Sequence, residues 1–98
     1  MEAYVRSDAV VSRVIAGETM IIPIRKGVGD LASIYSLNGV ASVIWSVIAQ
    51  PSSPEQIVRA VESEFSSDGD QIKQDVQDFL REMCSLGLVR SATAGAAA

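Results

Sequence analysis

Residues Ser33 to Trp45 read SIYSLNGVASVIW, and inside this stretch a two-residue alternation turns into a helical repeat. Ile34 and Leu37, with Tyr35 and Ser36 between them, make a short strand-like run. Val40, Ala41, Ile44, Trp45 and Ile48 then recur at three- and four-residue spacing, which lays an apolar stripe along a helix. Asn38 stands at the change of period as the natural N-cap, because its side-chain oxygen can accept a backbone amide of the first turn. Gly39 behind it tolerates a tight entry. The stretch therefore predicts a third strand, Ser33 to Leu37, feeding directly into a helix from Gly39 to about Ala49 that Pro51 stops.

Upstream, residues 1–8 read as an irregular lead-in anchored by Tyr4 or Val5. VVSRVI from Val10 to Ile15 is a half-buried strand, Gly17 and Glu18 mark a tight reversal, and TMIIPI from Thr19 to Ile24 is a second strand. Pro23 has no N–H for a ladder, so its position faces an edge, a bulge or no partner. RKGVGDLA, Arg25 to Ala32, is a glycine-containing connection to the third strand.

Downstream, Ser53 as N-cap, Pro54 at the first helical position and Gln56 at the third have capping-box spacing, and Glu55 suits the positive helix end. Ile57, Val58, Val61 and Phe65 give this second helix its core face. SSDGD, Ser66 to Asp70, is a turn whose Asp70 can cap a third helix, Gln71 to Ser85, with Ile72, Val76, Phe79, Leu80 and Met83 near one face. Gly87 is placed as its C-cap, returning Leu88 and Val89 to the core. The expected fold is α+β: a winged-helix-like domain of three N-terminal antiparallel strands, three helices and a short extended C-terminal segment over residues 1–90. Residues 91–98, SATAGAAA, have too little bulk to pack and are expected to be a disordered tail.

Composition narrows what such a domain can do. Ninety-eight residues suit one small core. Twelve acidic residues against eight basic ones give a net charge of −4, and Arg59, Lys73, Arg81 and Arg90 are scattered, so steering towards nucleic acid is not favoured. No apolar run is long enough to span a membrane and the N-terminus carries no basic segment ahead of a hydrophobic one, which points to the cytoplasm and away from a membrane partner. Cys84, the single cysteine, fits burial as a small hydrophobe.

With no histidine, a Cys–His nucleophile or a histidine metal site cannot form within the chain. Asp75 with Asp78, and Asp78 with Glu82, are carboxylate pairs at helical spacing. Such pairs serve acid–base or hard-cation chemistry, but they also make the wet face of an acidic helix or a surface for a basic peptide. Gly27 and Gly29 lack the rest of a phosphate loop. No catalytic, metal or cofactor residues are assigned, and the chain is read as not an enzyme. A sheet edge at Ser33–Leu37 would, by contrast, let an extended peptide add as a strand while its alternate side chains enter a groove against the third helix.

The run Tyr35-x-Leu37-Asn38 with Ala41-x-x-Ile44-Trp45, the helix start at Ser53-x-Glu55-x-Ile57 and the closing Leu86-Gly87-Leu88-Val89 together resemble the PqqD-like family over residues 8–90. The resemblance implies a noncatalytic adaptor that binds the leader segment of a ribosomally made precursor peptide and presents it to a separate modifying enzyme or leader protease. It implies a leader lying along the third strand, at Ile34, Tyr35, Ser36 and Leu37, and in the groove with the third helix. The helix contacts implied are Lys73, Val76, Gln77, Leu80 and Arg81, with Asp75 and Asp78 attracting basic leader residues. Each residue has a plainer reading as well: core for Leu37, inward packing for Val76 and Leu80, ordinary surface charge for Lys73, Asp75 and Asp78. ASIYSLN, Ala32 to Asn38, lacks the P-E-G that precedes this junction in quinone-cofactor members. The chain is thus more similar to the broader Y-x-L-N group found with lasso peptide and radical-SAM pathways. A winged-helix nucleic-acid-binding regulator and an acidic protein-docking domain remain the alternatives, and the same strand edge could pair two copies as a homodimer.

Overall fold

In a computed structural model of the protein, residues 3–24, 34–37, 39–65 and 69–92 are described. The described elements run β1 (Tyr4–Arg6), β2 (Val10–Ile15), β3 (Glu18–Pro23), β4 (Tyr35–Leu37), α1 (Gly39–Val47), α2 (Pro54–Glu64), α3 (Gly69–Ser85) and β5 (Val89–Ser91). β2, β3 and β4 form an antiparallel sheet in that order, and β1 pairs with β5 in a second, two-stranded one. The architecture is the expected winged-helix-like α+β arrangement, with one more strand at the front.

That strand corrects the reading of residues 1–8 as irregular. Tyr4, Val5 and Arg6 face Ser91, Arg90 and Val89, and Tyr4 exchanges two backbone hydrogen bonds with Ser52, at 2.8 and 2.9 Å. Arg6 N–H donates to the Ile48 carbonyl at 3.0 Å, satisfying an acceptor at the open end of α1. Its partners lie more than forty residues away, so no local pattern announces it.

The β2–β3 hairpin turns at Ala16–Gly17, both with positive φ (53° and 82°), the geometry whose twist matches the flanking strands. β3 is central, and Thr19, Ile21 and Pro23 are buried on its inner face. Ile24 N–H donates to the Ala9 carbonyl on the β2 side at 2.9 Å. By antiparallel alternation Pro23 nitrogen faces the other way, away from β2 and beyond the last described β4 pair.

Gly39 opens α1 at φ 55°, as a tight entry demands, while the capping role assigned to Asn38 lies outside the described residues. So do the Arg25–Ala32 connection, Ser33, Ser66–Asp68 and residues 93–98. α1 ends at Val47, two residues earlier than the pattern predicts. α2 begins as read: Ser53 Oγ accepts Gln56 N–H at 3.2 Å while Gln56 Oε1 accepts Ser53 N–H at 2.8 Å. α3 starts at Gly69, so Asp70 sits inside its first turn, favourable to the helix dipole, and not at the cap. At its far end Gly87 has φ 76°, Leu88 N–H reaches the Met83 carbonyl (3.0 Å) and Gly87 N–H the Cys84 carbonyl (3.1 Å). This Schellman closure sends Leu88 and Val89 inward. β5 then runs through Ser91, one residue past the expected end of the domain.

Ile21, Ile44, Trp45, Ile48, Ile57, Val61, Ile72, Val76 and Leu88 form the fully buried centre, where sheet and helices meet. Phe65, Phe79 and Cys84 pack half-buried around it. Trp45 is 1% exposed and its indole Nε1 has no hydrogen-bond partner among the described residues, against the expectation that a buried indole would find one. Its ring instead meets the Arg6 guanidinium, 5.0 Å from the ring centroid.

Candidate peptide-binding site

β4 pairs with β3 alone among the described residues, so its far side is a sheet edge. The register sets Leu37 against Thr19, Ser36 against Met20 and Tyr35 against Ile21. Tyr35 and Leu37 share the inner face with buried Ile21 and Thr19; both are half-buried and pack on the core. Ser36 lies on the outer face, exposed, and donates from Oγ to Glu18 Oε2 at 2.8 Å. Ile34, just before the strand, is exposed as well.

The backbone alternates in the opposite sense. Thr19 and Ile21 direct their amides and carbonyls towards β4, where Tyr35 and Leu37 meet them. The N–H and C=O of Ser36 therefore turn to the open edge. One exposed residue presents both backbone groups that an added strand would use.

Beside the end of β4 lies a cleft of about 230 Å³ between α1 and α3, lined by Val40, Ala41, Ile44, Asp75, Asp78, Phe79 and Glu82. Its floor is apolar and its α3 wall is acidic. Asp75 Oδ1 accepts from Gln71 at 2.8 Å and Asp78 Oδ1 from Gln74 at 2.9 Å, each one turn back along the helix. Arg81 reaches Asp78 only at 3.9 Å and is mostly exposed, so that pair adds little. Both carboxylates keep acceptor capacity for a cation entering the cleft.

The remaining α3 residues singled out from sequence sit elsewhere on the helix. Lys73, Val76 and Gln77 line a cleft of about 310 Å³ against α2, opposite Pro54, Glu55, Val58, Arg59 and Glu62. Gln77, Leu80 and Arg81 line another, of about 440 Å³, with Tyr4, Pro54 and Cys84. Val76 and Leu80 are buried. Thus Asp75 and Asp78 lie on the α1 side of α3, whereas Lys73 and Gln77 line the cleft against α2 and Arg81 the one beside Tyr4 and Pro54. Phe79 and Glu82 join the first pair at i+4 and i+7 from Asp75, a spacing visible in the sequence that places all four on one stripe. Among the described residues no cluster of His, Cys, Asp and Glu is arranged to hold a metal, and no helix is long and apolar enough to cross a membrane.

No curated protein matches the chain. Among solved structures, "TbiB1 in Complex with the TbiA(beta) Leader Peptide" is similar at 33% identity and a TM-score of 0.73, over 88% of this chain and 94% of that one. The profile of the family described as Coenzyme PQQ synthesis protein D (PqqD) matches residues 18–89, from the first residue of β3 to the first of β5. On that match, which spans the sheet edge, the cleft and all three helices, this chain belongs to the PqqD family.

Proposed function

We propose that the domain is a noncatalytic adaptor that captures the leader segment of a ribosomally synthesised precursor peptide and presents it to a separate modifying or processing enzyme. The observation that carries this reading is the open β4 edge at Ser36 beside an apolar, acid-walled cleft, in a chain 33% identical to a protein whose structure contains a leader peptide. The leader adds as a strand, exchanging backbone hydrogen bonds with Ser36 while its side chains rest against Tyr35, Leu37 and the α1–α3 cleft. Ile34, Tyr35, Ser36, Leu37, Asp75 and Asp78, together with Phe79 and Glu82, form the proposed contact surface. Lys73, Val76, Gln77, Leu80 and Arg81 flank it on the far side of α3. The backbone bonds set direction and register, and Asp75 and Asp78 favour a leader with Lys or Arg.

One further feature of the chain supports this assignment over nucleic-acid binding. Arg59 and Lys73 share their cleft with Glu55 and Glu62, which balances the charge a phosphate backbone would need. A cytoplasmic location, where precursor peptides are made, belongs to the same proposal.

Titration of isotope-labelled protein with the short precursor peptides encoded beside its gene tests it. Saturable shifts centred on Ile34–Leu37 and Asp75–Glu82 are expected. Silence from every peptide, or shifts at this edge that depend only on protein concentration, would replace leader capture with another partner or a homodimer.

A further inference from the structure

The sheet has a second open edge. β2 pairs with β3 alone among the described residues. Since Val11, Arg13 and Ile15 face the β3 residues whose amides point towards β2, the backbone groups of Val10, Ser12 and Val14 turn outward. This edge is six residues long and mostly apolar around Ser12 and Arg13, with Val14 72% and Ile15 59% exposed. It lacks the proline or bulge that usually blunts such an edge.

Behind it opens a cleft of about 450 Å³ whose walls include Arg6, Ser12, Arg13, Val14, Trp45 and Glu64. Arg6 is, with Arg13, one of its two cations. The guanidinium lies over the Trp45 ring and donates from Nε to the Trp45 carbonyl at 2.8 Å. Its two terminal nitrogens have no partner among the described residues. Partial burial pushes its pKa below the ordinary arginine value. Trp45, in the same wall, holds the buried unpartnered Nε1. Two donors thus adjoin one strand edge, the half-buried Arg6 guanidinium and the fully buried Trp45 indole N–H, and the second is costly as it stands.

We propose that the β2 edge and the Arg6–Trp45 cleft form a second docking site, which takes an extended segment of the partner enzyme bearing a carboxylate side chain. The inference rests on the adaptor reading, because an adaptor must hold leader and enzyme at once and β4 and β2 are opposite edges of one sheet. Charge separates the two occupants. The α1–α3 cleft carries Asp75, Asp78 and Glu82, whereas the β2 cleft carries Arg6 and Arg13 against Glu64. A carboxylate is the planar acceptor that an arginine fork matches with two parallel hydrogen bonds. Alternating backbone bonds to Ser12 and Val14 fix the segment carrying it.

The test uses two acetylated, amidated peptides, Val-Thr-Glu-Val-Thr-Val and the same peptide with Gln for Glu, titrated into the labelled full chain alone and saturated with leader. The Glu peptide is expected to shift the Val10–Val14 amides and the Trp45 indole N–H in both states, and to bind about tenfold more tightly than the Gln peptide. Ser12→Pro, which removes one edge donor at a position where an edge strand tolerates proline, should abolish those shifts and leave leader binding intact. Arg6→Lys should reduce the Glu/Gln preference. Equal affinity for the two peptides, shifts confined to β4, competition by leader, or β2 shifts that follow protein concentration without peptide would each overturn the second site. Leader binding is read separately at Ile34–Leu37, so failure there is distinguishable from failure at β2.

Discussion

Trp45 and Leu37 were alike in the sequence, two apolar residues at the strand–helix junction, and the structure separates them. Trp45 is enclosed by sheet and helices, so Trp45→Ala should cost about 3–5 kcal/mol in urea unfolding. Leu37 is half-buried against the same core. Leu37→Ala should cost only about 1–2 kcal/mol, since part of its side chain is already wet. A difference of less than the measurement error between the two variants would reject this ordering. Ala16 carries a cost of another kind: at φ 53° its Cβ crowds the backbone. Ala16→Gly should therefore raise stability by about 0.5–1 kcal/mol despite the added freedom of the unfolded chain, and an unchanged or lower denaturation midpoint would count against strain at this turn.

Elements were legible wherever their signals are local. Ser53, Pro54 and Gln56 specify the start of α2 within four residues, and Ser53→Ala should lower stability by about 1 kcal/mol in thermal or chemical unfolding, an unaltered Tm being the contrary result. Gly87 likewise announces the end of α3, because only a left-handed residue closes both terminal hydrogen bonds. β1 was not legible, since three residues carry no period and their partners, Ile48, Ser52 and Val89–Ser91, are distant in sequence. The strand side of the candidate site could be read as far as its position in the chain, but alternation alone does not say which of Tyr35 and Ser36 faces out. That follows only from the register with β3. On α3 the contact residues taken from family likeness run around the whole helix, whereas packing on α1 and α2 divides them between faces.

At the scale of the molecule, a net charge of −4 says little, because function depends on where the charges collect. Acidic side chains gather on the α3 wall of the β4 cleft, close enough to act together on one bound peptide. Reversing both Asp75 and Asp78 to Lys removes two attractions and adds two repulsions at exposed or half-exposed positions, which fold stability scarcely senses. The double variant should thus keep its unfolding midpoint within about 0.5 kcal/mol while binding a Lys- or Arg-containing leader about tenfold more weakly at low salt. The difference from the unaltered protein should shrink as salt rises, because the screening length falls from about 10 Å at 0.1 M to about 3 Å at 1 M ionic strength. The strand-edge hydrogen bonds and the apolar floor of Val40, Ala41 and Ile44 are short-ranged and unaffected by such screening. Residual binding at high salt should therefore be equal in the two proteins and should be lost on Ser36→Pro, which removes the outward-facing amide of β4. Fluorescence anisotropy of a labelled leader across the salt series measures all three. A salt-independent gap between the double variant and the parent would mean that the two aspartates act by shape or fold and not by charge.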